Sequence, residues 1–104
     1  TSVTTYTELL LFSWDDAKNA KNQGKHGVGF EVATLVFDDP LHVSRLERIE
    51  NGEPRWQTLG MADGVVLLLV AHTWHEAESG AEHIRIISAR RATLLERKIY
   101  EQNT

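Results

Sequence analysis

Apolar positions along this chain repeat with two different periods, and the period changes at Pro40. Before it, residues 9–14 form a short apolar run that predicts a buried strand. Asp15 or Asp16 can cap a following helix, because a carboxylate accepts orphan N–H bonds and suits the positive end of the helix dipole. That helix is expected to run to about Gly24, with Ala17 and Ala20 as a thin apolar contact and Lys18, Lys21 and Lys25 as a basic stripe. Gly24 and Gly27 bracket Lys25-His26, so a sharp turn is expected there. Phe30, Ala33, Val36 and Phe37 then recur at helical spacing until Asp38-Asp39-Pro40 stops the pattern.

After Pro40 the alternation is strand-like, at residues 42–49, 56–61, 65–74 and 83–89. Asn51-Gly52 and Asp63-Gly64 are hairpin turn signals, and Glu78-Ser79-Gly80 marks a longer loop. Residues 65–71 are apolar on both faces, which places that strand at the centre of a four-stranded antiparallel meander. Thr93-Leu94-Leu95-Glu96 has the capping-box pattern of a final helix, with Leu95 and Ile99 one turn apart to dock it. The order is β-α-α-β-β-β-β-α, an α+β domain with an antiparallel sheet packed against helices. Residues 1–8 read as a loose tail, disordered or foreign to the domain, and residues 9–104 as the single domain. The start without Met is read as trimmed or extended.

With 104 residues, two domains are excluded, and the absence of cysteine excludes disulfides and thiolate metal sites and suits a reducing compartment. The balance of 11 Lys+Arg against 15 Asp+Glu, net −4, removes generic attraction to a nucleic acid. Any anion site must come from two basic islands: residues 18–27, with three lysines and no acid, and residues 84–98, with five cations against Glu96 alone. The apolar run 65–71 is too short to span a membrane and no signal peptide is visible, so no membrane contact and a cytoplasmic location are expected.

His26 in a glycine-bracketed turn would suit proton transfer near neutral pH beside lysines that hold a phosphate backbone. A surface histidine bonding a helix-end carbonyl is the other reading. Strand alternation puts Ile84, Ile86 and Ser88 on one face and Arg85, Ile87 and Ala89 on the other, so Arg85 emerges from an apolar strand and needs an anion. That anion is either a structural carboxylate or a substrate phosphate held by the guanidinium fork. Arg90, at a strand end next to a helix N-terminus, carries the same two readings. His72, His75, Glu76, Glu78, Glu82 and His83 cluster in sequence, but His72 and His75 fall on opposite faces of a strand, and no metal or cofactor is assigned. Trp14, Phe30, Phe37 and Trp56 fall at core positions; Trp56, beside Arg55, is the one aromatic considered for stacking on a base.

Phe-Ser-Trp-Asp at 12–15, Lys-His-Gly at 25–27, Phe-Glu-Val-Ala at 30–33, Val-Phe-Asp-Asp-Pro at 36–40, Arg-Ile-Ile-Ser-Ala-Arg-Arg-Ala at 85–92 and Glu-Arg at 96–97 together resemble the BrnT family. These are the ribonuclease toxins of type II toxin–antitoxin pairs. The resemblance implies a RelE-like fold, metal-independent endoribonuclease activity, and a cognate BrnA antitoxin that binds DNA and through which alone the toxin reaches operator DNA. It also implies autoregulation of the operon. By position it marks Lys25, His26, Arg85 and Arg90, then Arg55 and Trp56, with Lys18 and Lys21 extending the phosphate-binding stripe. In such a site a base removes the 2′-OH proton, an acid protonates the departing 5′-oxygen and arginines stabilise the phosphorane. His26 is the acid or base, Arg85 and Arg90 the phosphate clamps, and Lys25 positions the RNA backbone. The net charge of −4 departs from the basic character of many ribonuclease toxins. An antitoxin should cover the cationic site, and a two-to-two complex is expected because DNA-binding antitoxin domains commonly dimerise on two-fold operators. The alternative is a RelE-like binding module that has lost cleavage and acts as corepressor with its antitoxin.

Overall fold

A computed structural model describes residues 2–7 as backbone and residues 10–76 and 78–103 in full. The elements are β1 (Ser2–Thr7), β2 (Leu10–Asp15), α1 (Asp16–His26), α2 (Phe30–Ala33) continued by a 3-10 helix (Thr34–Asp38), β3 (Val43–Glu50), β4 (Glu53–Ala62), β5 (Val66–Glu76), β6 (Glu82–Arg91) and α3 (Leu94–Gln102). Leu9, where the first strand was expected to begin, lies outside the described residues. A strand occupies Ser2–Thr7, where composition suggested a loose tail.

Six strands form one sheet in the order β1-β2-β6-β5-β4-β3. The four-stranded antiparallel meander holds, and β5 runs through its interior with Leu67, Leu68, Leu69 and Val70 all buried. The sheet as a whole is mixed rather than antiparallel, because β2 lies parallel to β6 with Phe12 opposite Ile84 and Ser13 opposite Arg85. Both predicted hairpin turns form. Asn51 and Gly52 take φ of 51° and 78°, and Asp63 and Gly64 take 54° and 66°, the left-handed pair that matches strand twist.

Two layers cover the sheet. On one face Phe12 and Trp14 of β2, Leu68 and Val70 of β5 and Ile84, Ile86 and Ala89 of β6 pack against Phe30, Ala33, Val36 and Phe37. On the other, Leu59, Leu67 and Leu69 meet Tyr100 of α3. Leu95 and Ile99, expected to dock α3, stay 69% and 38% exposed. Tyr100 docks it instead, its hydroxyl donating to Asp39 at 2.6 Å while the Met61 and Leu41 N–H groups donate to the same carboxylate. Burial alone would raise the Asp39 carboxyl, but these hydrogen bonds outweigh it and hold it below the usual range; the same bond pushes the Tyr100 hydroxyl up to about 12.

α1 departs from its expected boundaries and contacts. The Asp15 carboxylate accepts from the N–H groups of Ala17 and Lys18, as its sequence position predicts. The helix does not stop at Gly24 but continues through Lys25 and His26 to Gly27, whose φ of 71° makes the left-handed cap. Ala17 and Ala20 are exposed; the buried residue of α1 is Asn22. Its amide donates to the carbonyls of Val28 and Ala89 and accepts from the Ala89 N–H, occupying the edge of β6 beyond the end of β2. Asn19 accepts from the Phe30 N–H and so caps α2. Amide hydrogen bonds therefore attach a helix too polar to dock by apolar burial.

Gly60 of β4 sets how closely the 3-10 helix approaches the sheet. A Cβ there would sit 2.8 Å from Val36 Cγ1 and 3.1 Å from the Val36 carbonyl oxygen. Gly60→Ala is expected to destabilise the fold by about 1–3 kcal/mol through overpacking, read as a lower urea midpoint. An unchanged midpoint would show that this contact yields freely.

Candidate functional site

β6 carries His83, Arg85 and Arg90, and its two sides meet different partners. Ile84 and Ile86 enter the core, so His83 and Arg85 emerge on the opposite face, where Tyr100 of α3 packs on Leu59, Leu67 and Leu69. A β-bulge then breaks the alternation: Ala71 pairs Ser88 while His72 pairs Ile86, leaving Ile87 unpaired. That extra residue turns Ala89 into the core, contrary to unbroken alternation, and leaves Ile87 and Ser88 beside α1.

The lysine stripe and this stretch of β6 together form a shallow groove. Lys18, Lys21, Asn22, Lys25, His26, Ile87 and Ser88 line about 170 Å³. The structure thus sets the first basic island against the uncharged Ile87–Ser88 stretch of the second. His26 belongs to this groove, though as the half-buried last residue of α1 rather than as part of a free turn.

The two arginines divide the two readings that the sequence left open. Arg90 has the structural carboxylate: its guanidinium meets Glu96 through two parallel bonds of 2.8 and 2.9 Å. The same carboxylate accepts from the Thr93 N–H in the capping box that starts α3. Hydrogen bonding to Arg90 holds the Glu96 carboxyl down to about 2. Arg85 is half-buried, stands between Ser13 of β2 and Thr73 of β5, and has no carboxylate among the described residues. Among the described residues no ion pair or hydrogen bond occupies its fork.

Beside Arg85 lies a group that sequence reasoning considered only as a metal ligand. His83 Nε2 is 2.7 Å from the Oγ of Ser13, which is 4% exposed. Burial first, then His75 and Arg85, lower the His83 imidazole below its ordinary range and keep it neutral at pH 7. Only the parallel pairing of β2 with β6 brings Ser13 to it, so no local signal marked the pair. The Arg90–Glu96 pair did have one: a capping-box glutamate folds back toward the helix start, where the strand-end arginine stands.

Arg55 and Trp56 do not share a face of the sheet. Adjacent on β4, they face opposite ways: Arg55 lies near Glu50 and Glu53 at 3.6 and 3.5 Å, and Trp56 packs edge-on against Trp74 with centroids 5.8 Å apart. His72 and His75 also part, as alternation predicts. His72 is buried, bonded through Nε2 to Thr58 at 2.7 Å, and His75 reaches Glu53 at 2.9 Å on the other face. Among the described residues, no three His, Asp or Glu side chains converge as a metal site, and no helix is long and apolar enough to cross a membrane.

Comparison with known proteins agrees with this architecture. Residues 14–96 match the family model of the ribonuclease toxin BrnT of type II toxin–antitoxin systems. The chain belongs to the BrnT family. No curated protein matches it. Among solved structures it is similar to the Brucella abortus ribonuclease toxin BrnT, known from a 1.1 Å crystal structure, at 28% identity and a TM-score of 0.54, over 77% of this chain and 92% of that one. The BrnT match covers α1, the 3-10 helix, the meander, the Arg85–Arg90 strand and the first residues of α3. Membership makes this chain a ribonuclease toxin of a toxin–antitoxin system and implies an antitoxin partner.

Proposed function

We propose that this BrnT toxin is an endoribonuclease of RelE-like fold that cleaves RNA by attack of a 2′-hydroxyl on the adjacent phosphorus, with no metal in the step. The observation that carries this reading is Arg85: a half-buried guanidinium with no carboxylate partner among the described residues suits a phosphate. Lys18, Lys21 and Lys25 hold the RNA backbone along the groove that continues past Ser88, and His26 in that groove transfers a proton. Arg90 acts through Glu96, fixing the end of β6 and the start of α3 so that Arg85 stays in place. Arg55 and Trp56, paired within the sheet, belong to its framework rather than to RNA binding.

The net charge of −4 is compatible with this reading, because attraction is local to one groove and one face rather than spread over the molecule. A toxin of this kind acts in the cytoplasm and is held inactive by a BrnA-like, DNA-binding antitoxin. In the proposed two-to-two complex the antitoxin covers the cationic groove and carries the toxin to operator DNA. Incubating the purified chain with RNA in excess EDTA tests the chemistry. Fragments ending in 2′,3′-cyclic phosphate and 5′-hydroxyl are expected; cleavage that stops on chelation and returns with a divalent ion would overturn the metal-free step.

A further inference from the structure

Two proton transfers are needed to cut a phosphodiester in this way, and the reading above assigns one imidazole. A second stands on the open face of β6. We propose that His83 accepts the 2′-hydroxyl proton of a ribonucleotide whose 3′-phosphate is held by Arg85, with Ser13 positioning the imidazole. This rests on the ribonuclease reading.

Four observations carry the assignment. His83 and Arg85 are two residues apart on one side of a strand, which sets their Cα atoms about 7 Å apart, within reach of one nucleotide. Ser13 is buried and holds Nε2 at 2.7 Å, so the ring is anchored and Nδ1 is the nitrogen with no partner among the described residues. With the Nε2–H donating to Ser13 Oγ, the lone pair of the neutral ring is on Nδ1, and the same bond persists when the imidazole is protonated. Arg85 precedes by two and three residues the Ile87–Ser88 stretch of the same strand, which lines the groove that holds His26, so one RNA strand running along β6 would pass His83, Arg85 and then that groove.

The charged groups around His83 are few. From β5 it faces His75, itself bonded to Glu53; on its own strand it has Arg85; Glu76 and Glu82 pair at the strand ends; β2 offers Ser13 and Leu11, neither of which titrates near neutral pH. Burial first, then His75 and Arg85, favour the neutral ring, the form a base requires.

The step balances. His83 Nδ1 takes the 2′-hydroxyl proton as the 2′-oxygen bonds to phosphorus. The bond from phosphorus to the 5′-oxygen breaks, and that oxygen leaves with a proton from the His26 imidazolium. The products are a 2′,3′-cyclic phosphate and a 5′-hydroxyl.

His83→Gln separates catalysis from structure, because its amide can keep the bond to Ser13 but cannot titrate. On an RNA oligonucleotide, kcat is expected to fall roughly 10²–10⁴-fold, with KM and melting temperature little changed. The acidic limb of the pH profile of kcat/KM should disappear. Ser13→Ala, which frees the ring, should lower kcat less and leave that limb in place at a shifted pH. A cleaving wild type beside a His83→Gln variant that keeps both its kcat and its acidic limb would overturn the assignment while leaving the ribonuclease reading intact. If no RNA is cut by the wild type, that reading fails and this one with it. Should His83→Gln fail to fold, His83→Asn, read the same way, decides the point.

Discussion

Arg85→Ala is expected to lower kcat/KM for RNA cleavage roughly 10²–10³-fold while leaving the fold intact. The loss is large because a preorganised guanidinium on a partly desolvated face stabilises the charge that develops on phosphorus. The fold should survive, because Arg85 has no carboxylate among the described residues whose charge would be left unpaired. Arg85→Lys keeps the charge but not the planar fork, and should fall between the two. Arg90→Ala gives the opposite pattern. It strands the Glu96 carboxylate, now bonded twice at 2.8 and 2.9 Å, and should cost about 1.5–3 kcal/mol, roughly 4–8 °C in melting temperature per kcal/mol for a domain of this size. Below its melting point it should still cut RNA. Melting curves and cleavage rates measured on both variants decide the matter. Arg85→Ala with wild-type activity would remove Arg85 from the site and favour the corepressor reading, while a stable but inactive Arg90→Ala would return Arg90 to the phosphate.

Stability should decline on mild acidification, by up to about 3 kcal/mol between pH 6.5 and pH 4. The responsible group is His72, fully buried beside Phe37 and Trp74, bonded through Nε2 to Thr58 and through Nδ1 to the Thr73 carbonyl. Burial, with a small contribution from His42, lowers its imidazole from 6.5 to about 4. In that interval the unfolded chain binds a proton that the folded chain does not. The contribution is therefore whole above about pH 6.5 and is lost as the pH falls toward 4. Asp39 and Glu96 act in the same sense at lower pH, since their depressed carboxyls stabilise the fold above the ordinary carboxylate range and lose that contribution below it. Urea unfolding at pH 7, 5.5 and 4.5 measures the decline. His72→Gln should flatten it whatever its stability at pH 7, and a wild type equally stable at pH 7 and 4.5 would refute the argument.

Local chemistry was enough to predict much of this protein. The turns at Asn51-Gly52 and Asp63-Gly64, the Asp15 cap, the Thr93–Glu96 capping box and the interior place of β5 depend on residues close in sequence, whose backbone preferences and periodicity act before any long-range contact forms. The same holds for the separation of His72 from His75 and for the family resemblance, which rests on short ordered motifs. The candidate site was legible as two basic islands and as Arg85 emerging from an apolar strand.

What remained was decided by pairings between distant residues. The parallel contact of β2 with β6 brings Ser13 to His83 across 70 positions. Asn22, polar and inconspicuous, became the buried anchor of α1 because the edge of β6 had backbone groups to satisfy. A single unpaired residue, Ile87, reversed which side of the strand the following residues face, as any one-residue slip must when side chains alternate with period two. The choice between the two arginines drew on both levels. The capping box already turns Glu96 back toward the strand end where Arg90 stands. That its carboxylate meets Arg90 through two bonds, while Arg85 has no carboxylate among the described residues, was decided by the fold, because both are strand residues with the same charge and the same capacity to hold a carboxylate or a phosphate.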